Sequence, residues 1–367
     1  MFKKIAFVGS NSPHIQKFLI FFSNYFEKII LITNKVPEKK IANCIYYEVD
    51  FSFKKIWNIL FSVKMIRDIF KKERPEIIHI HQANSYAFYT LLANSIYKIP
   101  VILSPWGSDI FILPNKNILM KEIVIYNLSN ANIITLESFY GEKVVRNLLK
   151  NSEKDIRILN YGIYDDYFVD IEDALNNKKN IIFSNRLHKK FYRIDKIIKA
   201  FEKFIKLRSN NDWRLVIAGE GEDTLKLKRL VYDNNLEKKV EFVGWLDKNN
   251  LKEWYVKSKI FVSIPESDGV PFSMLEAMAC GCLPVVSNVP SVLEMLIDGL
   301  NSIIAIDIEN LDKYLLKAIE LYNSPGFAKE LFYINRKILE KHAVFSKNMN
   351  EFLGIYTYIL NKNKIKI

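Results

Sequence analysis

The 367-residue chain has little cysteine and no long hydrophobic run, and each shortage excludes a class of protein. Its three cysteines, Cys44, Cys280 and Cys282, are too few for a disulfide framework, and their spacing lacks the His or Cys partners of a zinc site. No stretch reaches the roughly 18 apolar residues that a membrane-spanning helix needs. The first apolar run stops after four residues, too soon for a secretory signal. We expect a soluble or peripheral protein of a reducing cytoplasm.

Two enzyme motifs are also missing. Neither half opens with Gly-x-Gly-x-x-Gly after its first apolar run, which argues against a dinucleotide oxidoreductase. No Asp-x-Asp cluster is present to hold a divalent ion, so we expect no metal and no other cofactor. The net charge of +12 predicts an acidic partner, either nucleotide phosphates, an anionic membrane or nucleic acid. No nucleic-acid-binding motif accompanies the charge, so nucleic acid is not an expected partner.

Short apolar runs alternate with longer amphipathic segments along the chain. This alternation predicts an α/β protein with parallel sheets and helices on both faces. It is interrupted at 165–180 and then restarts, which predicts two doubly wound, Rossmann-like domains that face a central cleft. A last helical pattern, 346–362, is apolar enough to cross back to the first domain. The predicted divisions are 1–166, 178–345 and a C-terminal segment, 346–367. The predicted strands are 4–9, 28–33, 77–81, 100–107, 132–137, 156–162, 180–187, 213–221, 239–246, 259–265, 283–288 and 301–306.

The segment SDGVPFSMLEAMACGCLPVVSN, residues 267–288, carries the clearest chemistry. It predicts a loop after a buried strand, a helix with Pro271 in its first turn, and a left-handed cap at Gly281. The start of such a helix presents free backbone N–H groups that can hold phosphate. The groups concerned belong to Val270, Phe272 and Ser273.

Two carboxylates lie eight positions apart in this segment. Asp268 belongs to the loop, and Glu276 lies about one turn into the helix. A purely structural interpretation stays open for both, since Asp-Gly is common in turns and Glu276 could be an exposed helix residue.

The segment strongly resembles the acidic-x7-Glu signature of the retaining GT-B glycosyltransferases of family 4, the glycosyl transferases group 1 type. Asp-Gly-x-Pro replaces the more usual Glu-Gly-x-Gly. The resemblance extends along essentially the whole chain, through stretches such as IAFVGSNSPHIQKF, RPEIIHIHQANSYA, PVILSPWGSDI and IIFSNRLHKKFYRIDKIIKAF. It implies a GT-B fold and transfer of a sugar from a UDP- or GDP-linked donor with retained anomeric configuration.

The resemblance also implies roles for the donor site. Glu276 accepts hydrogen bonds from the ribose hydroxyls, and Asp268 binds the hydroxyls of the transferred sugar. Because Asp is one methylene shorter than Glu, its reach to the sugar differs. The remaining implied donor contacts are Gly9, Gly219, Glu220, Gly244 and Gly269.

The donor diphosphate needs positive charge, because cleavage of the sugar–phosphate bond leaves negative charge behind. Arg186 matches the family's diphosphate-binding arginine, and a guanidinium fork suits phosphate oxygens. The family's companion lysine is replaced by Tyr192. We expect Lys190 to supply the second charge, with Lys189 and Arg193 as alternatives.

The first domain carries the acceptor-side candidates. Alternation along IIHIH puts His79 and His81 on the same side of a strand. The resemblance implies that His81 contacts the sugar and acts in catalysis while His79 packs inside; a metal pair is the competing interpretation, but no third ligand is evident. His14, Trp106 and Asp109 are expected to contact the acceptor, with structural roles as alternatives.

A basic helical pattern at 53–76 contains Trp57, Phe61, Met65 and Phe70. Such a segment could lie on an anionic membrane near a lipid-linked acceptor. The alternative, that the same apolar residues cover the sheet, is favoured because the segment precedes a buried strand.

These features predict a bacterial, cytoplasmic, metal-independent hexosyl- or N-acetylhexosaminyl-transferase with a peripheral contact to the inner face of the cell membrane. Its expected partners are a nucleotide sugar and a glycan or lipid-linked acceptor in lipopolysaccharide or capsule synthesis. One alternative is a non-catalytic nucleotide-sugar-binding subunit. The other is a GT-B enzyme that acts on the nucleotide sugar itself, as an epimerase does.

Overall fold

The computed structural model describes residues 2–53, 55–207 and 212–364. Their contacts divide the chain into two compact units, Met1–Asn160 together with Lys347–Ile367, and Tyr161–Ser346. The domain limits expected from composition stay a prediction.

The first unit is built on a seven-stranded parallel sheet. Its strands are β1 Phe2–Val8, β2 Phe26–Thr33, β3 Cys44–Glu48, β4 Ile77–His81, β5 Val101–Ser104, β6 Ile133–Leu136 and β7 Asp155–Ile158. They lie in the order β3-β2-β1-β4-β5-β6-β7. The order changes direction between β1 and β4, and this is the switch of a doubly wound sheet.

The apolar runs predicted every strand of this sheet except β3. This strand forms the edge of the sheet, pairs with β2, and buries its first residue, Cys44, while the next four are half-buried or exposed. An edge strand with one poorly covered face does not need an apolar run, so the sequence gives little signal.

Helices cover both faces of the first sheet. They are α1 Pro13–Phe22, α2 Ile56–Glu73, α3 Ser85–Asn94, α4 Ser108–Phe111, α5 Ile118–Asn130 and α6 Phe139–Leu148. Ile66 and Phe70 of α2 and Tyr89 of α3 are buried in the core on one face. On the other face Phe7 of β1 contacts Phe18 of α1.

The second unit is built on a six-stranded parallel sheet, and all of its strands were predicted. They are β8 Lys179–Ser184, β9 Arg214–Ala218, β10 Val240–Gly244, β11 Ser258–Ser263, β12 Leu283–Ser287 and β13 Ile303–Ala305. Their order is β10-β9-β8-β11-β12-β13. The helices are α7 Ile171–Asn177, α8 Ile194–Leu207, α9 Thr224–Asp233, α10 Lys248–Lys257, α11 Phe272–Ala279, α12 Pro290–Leu293, α13 Leu311–Tyr322 and α14 Phe327–His342. With two buried clusters on the sheet, the predicted α/β class with two doubly wound domains is confirmed.

The last helix, α15 Phe345–Lys364, forms where the apolar pattern predicted it. From Lys347 onward it belongs to the first unit. Phe352 and Tyr356 are fully buried, and their rings lie 5.2 Å from those of Phe18 and Phe22 respectively. A segment distant in sequence therefore completes one face of the first sheet.

Helix α2 covers the sheet with its inner side, as the favoured interpretation of 53–76 predicted. Phe70 is buried and Met65 packs against the core, whereas Trp57 and Phe61 lie on the outside. Across the described ranges, no helix combines the length and the apolarity that crossing a membrane requires.

Candidate functional site

In the second unit, the loops after β8, β9 and β10 cross one another at the carboxyl edge of the sheet. The Gly219 N–H donates to the Gly244 carbonyl oxygen at 2.7 Å, and the His188 N–H donates to the Glu220 carbonyl oxygen at 3.1 Å. Gly219 has φ +103°, and a Cβ there would lie 2.6 Å from the Arg186 carbonyl oxygen. Glycine is required at this crossing, which brings the predicted donor contacts of three loops together.

Arg186 is held by three groups. Its guanidinium donates to Asp268 Oδ2 at 2.5 Å and to Ser273 Oγ at 3.0 Å. The guanidinium carbon lies 4.5 Å from the ring centroid of Tyr192. Only 11% of the Arg186 side chain is exposed, so these electrostatic contacts are stronger than they would be in open water. The fork of the arginine is therefore fixed beside the start of α11.

The stacking of Tyr192 on Arg186 was not predicted from the sequence, which indicated only the loss of a lysine. A tyrosine face attracts a guanidinium and can orient it. The side chain of Lys190 is exposed and makes no hydrogen bond or ion pair with the described residues. Arg193 pairs with Glu266 at 3.7 Å. The role of Lys190 as the second charge stays a prediction.

Helix α11 begins one residue later than the sequence predicted. Pro271 is the cap before the helix, with φ −74° and ψ 124°, and its carbonyl oxygen accepts the Met274 N–H at 3.0 Å. The prediction of Pro271 inside the first turn was wrong because proline fixes φ and leaves ψ free. Gly281 has φ +75°, which confirms the left-handed cap.

The backbone groups expected to hold phosphate lie at this helix start. The Gly269 N–H donates to Asp268 Oδ1 at 3.0 Å, so this amide is engaged inside the loop. Val270 is buried, and Phe272 and Ser273 open the helix. Their contacts with a ligand stay predictions.

Glu276 is oriented by a short chain of hydrogen bonds. Its Oε2 accepts the Tyr255 hydroxyl at 3.2 Å, and that hydroxyl accepts the Asn185 side-chain amide at 2.8 Å. Burial, followed by the charge of Glu276, raises the pKa of Tyr255 well above its ordinary value, so the hydroxyl stays a donor. Sequence reasoning missed Tyr255 and Asn185, since neither belongs to a motif.

Asp268 and Glu276, the two carboxylates of segment 267–288, lie near the start of α11. Ser273 and Glu276 are three residues apart and share a helix face, and Ser273 contacts the same arginine that pairs with Asp268. Burial raises the pKa of Asp268, although Arg186 and the Gly269 amide act to lower it. The structural interpretation of Glu276 as an exposed helix residue is wrong, because it is 8% exposed.

In the first unit, four predicted residues converge at the carboxyl ends of β1, β4 and β5. A Cβ on Gly9 would lie 3.1 Å from the His81 Cβ. The Trp106 ring lies 5.9 Å from that of His81 and 5.5 Å from that of His14. Burial, followed by repulsion from His14, lowers the pKa of His81 to about 3, so the imidazole is neutral at neutral pH.

His79 packs inside the unit, as its assigned role implies. Its Nδ1 lies 2.7 Å from the Tyr356 hydroxyl, and its Nε2 lies 2.7 Å from Ser104 Oγ. Both ring nitrogens are therefore engaged by hydroxyl groups, which removes the metal-pair interpretation. Within the described residues, no group of three or more His, Cys, Asp or Glu side chains could hold a metal ion.

Asp109 lies beneath the loops that carry Trp106. Its carboxylate accepts backbone N–H groups from Ala83 at 2.5 Å and from Trp106 and Gly107 at 2.9 Å each. Burial raises the pKa of Asp109 above its ordinary value, against the effect of these amides. This geometry gives Asp109 a positioning function, and its predicted contact with an acceptor stays a prediction.

The chain has two doubly wound sheets, and Arg186, Asp268 and Glu276 lie at a helix start beside the second one. This combination is that of a GT-B type of nucleotide-sugar enzyme. The family model described as Glycosyl transferases group 1 matches residues 169–337, and the model described as Glycosyl transferase 4-like matches residues 4–138. The chain belongs to this family and is a glycosyltransferase.

Known proteins resemble the chain over most of its length. It is 24% identical over 288 residues to N-acetyl-alpha-D-glucosaminyl L-malate synthase of Bacillus anthracis, covering 73% of each chain. It is 20% identical to GDP-mannose:cellobiosyl-diphosphopolyprenol alpha-mannosyltransferase of Xanthomonas oryzae, over 59% of this chain and 56% of that one. The solved structure of Anabaena Alr3699/HepE in complex with UDP and glucose matches with a TM-score of 0.79 at 11% identity, covering 97% of this chain and 100% of that chain.

Proposed function

We propose that this glycosyltransferase moves a hexosyl or N-acetylhexosaminyl unit from a UDP- or GDP-linked donor to a lipid-linked glycan, with retained configuration and without a metal. The observation that carries the proposal is the group formed by Arg186, Asp268 and Ser273 beside Glu276. The acceptor belongs to surface polysaccharide synthesis, either lipopolysaccharide or capsule.

The donor would enter by exchange at Arg186. Asp268 occupies one side of the guanidinium. A diphosphate can accept hydrogen bonds from both terminal nitrogens of the guanidinium and carries more negative charge than a carboxylate, so it can replace Asp268 there. Asp268 is then released to accept hydrogen bonds from hydroxyls of the transferred sugar.

Glu276 would bind the ribose of the nucleotide. The Glu276 carboxylate, oriented by the hydrogen bond from Tyr255, would accept the ribose hydroxyls, and burial of the site strengthens such bonds. Arg186 and the backbone amides at the helix start would stabilise the charge that develops on the leaving diphosphate.

The retaining step would follow a front-face route. The donor phosphate assists deprotonation of the acceptor hydroxyl, and no carboxylate attacks the anomeric carbon. On the acceptor side, neutral His81 can exchange a hydrogen bond with a sugar hydroxyl, and Trp106 can cover an apolar sugar face.

Two relatives support the choice of donor and acceptor classes. The Anabaena neighbour was solved with UDP and glucose, and the Xanthomonas relative is named for GDP-mannose and a diphosphopolyprenol-linked acceptor. Because these names differ in their nucleotide, we keep both UDP and GDP.

The first test measures thermal stability of the purified protein with UDP, GDP, ADP and CMP in turn. A nucleotide at about 100 times its dissociation constant should stabilise the second unit by roughly 2.7 kcal/mol. Arg186→Ala and Glu276→Gln should abolish the increase, whereas Arg214→Ala, which removes an exposed pair with Glu241, should preserve it. No increase with any nucleotide would contradict the donor site.

Turnover distinguishes the proposal from the two alternatives. With membrane acceptor, nucleotide release and an unchanged anomeric configuration by NMR are expected. Donor conversion without acceptor would instead identify an enzyme acting on the nucleotide sugar, and donor binding without release would identify a binding subunit. A covalent sugar adduct trapped in Asp268→Asn would contradict the front-face route.

A further inference from the structure

The start of α2 carries an apolar surface that the described residues of the chain leave exposed. Phe53, Ile56, Trp57, Leu60 and Phe61, here named the apolar patch, are 37%, 69%, 73%, 57% and 70% exposed. The four helical members fall on one side of α2, since about 3.6 residues make a turn. The opposite side of the same helix covers the sheet. The patch is therefore a distinct outer face rather than an incompletely packed core.

The chain around the patch is held firmly. Ser62 Oγ donates to the Asp50 carbonyl oxygen at 2.7 Å, and the Asn58 side-chain amide donates to Asp50 Oδ2 at 3.2 Å. The Tyr89 hydroxyl donates to the Ser52 carbonyl oxygen at 2.8 Å. These bonds join Asp50 to α2 and Ser52 to α3, close to the start of the helix that carries the patch.

Basic side chains continue the same outer face. Lys64, Lys71 and Lys72 are exposed and lie toward the C-terminal end of α2, with Asp68 as the acid among them. Lys55 precedes the helix and is also exposed. One end of the face is thus apolar and aromatic, and the remainder is mostly positive.

Arg67 does not belong to this outer face, although it lies in the same basic segment. It is half-buried, and its guanidinium donates to the Leu92 carbonyl oxygen at 3.3 Å. Replacing Arg67 would therefore disturb the packing of α2 on α3 and confuse any measurement of surface binding.

We propose that the apolar patch and its lysines dock this protein on an anionic lipid bilayer. Aromatic side chains such as Trp57 and Phe61 suit the headgroup level of a membrane, where their rings are only partly dehydrated. Lysines beside them are attracted by anionic headgroups. The combination of the two along one helix face is typical of helices that lie in the membrane interface.

A second copy of the chain fits this surface less well. A stable protein interface buries about 800 Å² on each partner, and its core is depleted of lysine. Five side chains within and just before two helical turns supply roughly a few hundred Å², and like charges on two copies would repel. The charge and the small area both favour a bilayer.

Docking would hold the first unit where lipid-linked acceptors reside. The biological use of docking therefore rests on the proposed function. The binding event itself needs no turnover. It can therefore be measured on the full chain even if the acceptor class is wrong.

The test is cosedimentation with vesicles of phosphatidylcholine alone and of phosphatidylcholine and phosphatidylglycerol in equal parts. We expect binding to the anionic vesicles that weakens at high salt. The double variant Trp57→Ser, Phe61→Ser should lose about tenfold or more of its affinity. The triple variant Lys64→Ser, Lys71→Ser, Lys72→Ser should show a similar loss on anionic vesicles.

The matched control is Leu225→Ser, Tyr232→Ser on α9, because these side chains are 82% and 70% exposed and also lie among lysines. It should bind vesicles like the unchanged protein. All variants should keep their melting temperature and nucleotide binding, which separates this test from that of the donor site. The proposal would be overturned if the unchanged protein did not bind vesicles, or if the Trp57→Ser, Phe61→Ser variant bound them equally well. It would also be overturned if the unchanged protein were a dimer and this variant a monomer.

Discussion

At the scale of single residues, Tyr192 stands where the family usually has a lysine, and the structure gives this tyrosine a role of its own. Sequence alone suggests that the donor site has lost a positive charge at this position. The structure gives the residue a different contribution, because its ring lies against the guanidinium of Arg186. The remaining cation is thereby held in the position where it meets Asp268 and Ser273.

Replacing Tyr192 by leucine should weaken binding of the stabilising nucleotide, while phenylalanine should preserve it. A cation–π contact in a partly buried site contributes about 0.5 to 2 kcal/mol, so we expect an affinity loss of roughly threefold to thirtyfold for Tyr192→Leu. Isothermal titration calorimetry measures it. Equal losses for both variants would assign the effect to the hydroxyl and contradict the stacking argument.

At the scale of elements, the second unit depends on loops that cross backbone to backbone. Gly219 holds a left-handed conformation and leaves no room for a side chain beside Arg186. Gly299 also has a positive φ, +78°, but no atom lies within 4 Å of its added Cβ. The two glycines therefore separate the effect of backbone strain from the effect of a steric clash.

Gly219→Ala should lower the free energy of unfolding by about 3 kcal/mol, since strain and a clash with backbone act together. Gly299→Ala carries the strain alone and should lower it by about 1 kcal/mol. Urea titration of both variants measures the difference. Gly219→Ala should also reduce nucleotide binding, and equal stabilities of the two variants would mean that the loops can separate without cost.

At the scale of the whole molecule, the first unit is built from two segments that are far apart in the sequence. From Lys347, α15 packs its buried aromatic residues against α1, and Tyr356 reaches His79 of β4. The core on this face of the first sheet therefore includes residues of α15. The second unit, Tyr161–Ser346, forms its own two clusters without them.

Phe352→Ala should destabilise the first unit by about 3 to 5 kcal/mol, because it leaves a cavity among fully buried rings. Hydrogen exchange followed by mass spectrometry should report faster exchange in β1 and α1 than in β8 to β13. Phe201→Ala in the core of the second unit is the matched control and should give the opposite pattern. Faster exchange throughout both units would contradict their separate cores.

Much of this architecture could be predicted, because buried parallel strands require continuous apolar runs. Twelve such runs correspond to twelve strands of the structure. The edge strand Cys44–Glu48 was not predicted, because most of its residues are half-buried or exposed and need not be apolar. The resemblance around 267–288 indicated Asp268 and Glu276, and Gly281 forms the cap that the pattern required.

The sequence by itself determined the two sheets, the helices between them and the family, since these follow from local periodicity and a contiguous motif. Only the tertiary structure decided that Tyr192 lies on Arg186, that Tyr255 orients Glu276, and which side of α2 faces outward. The physical reason is that side-chain contacts join residues far apart in the chain. Their geometry depends on how strands are ordered in a sheet, which no local pattern of residues encodes.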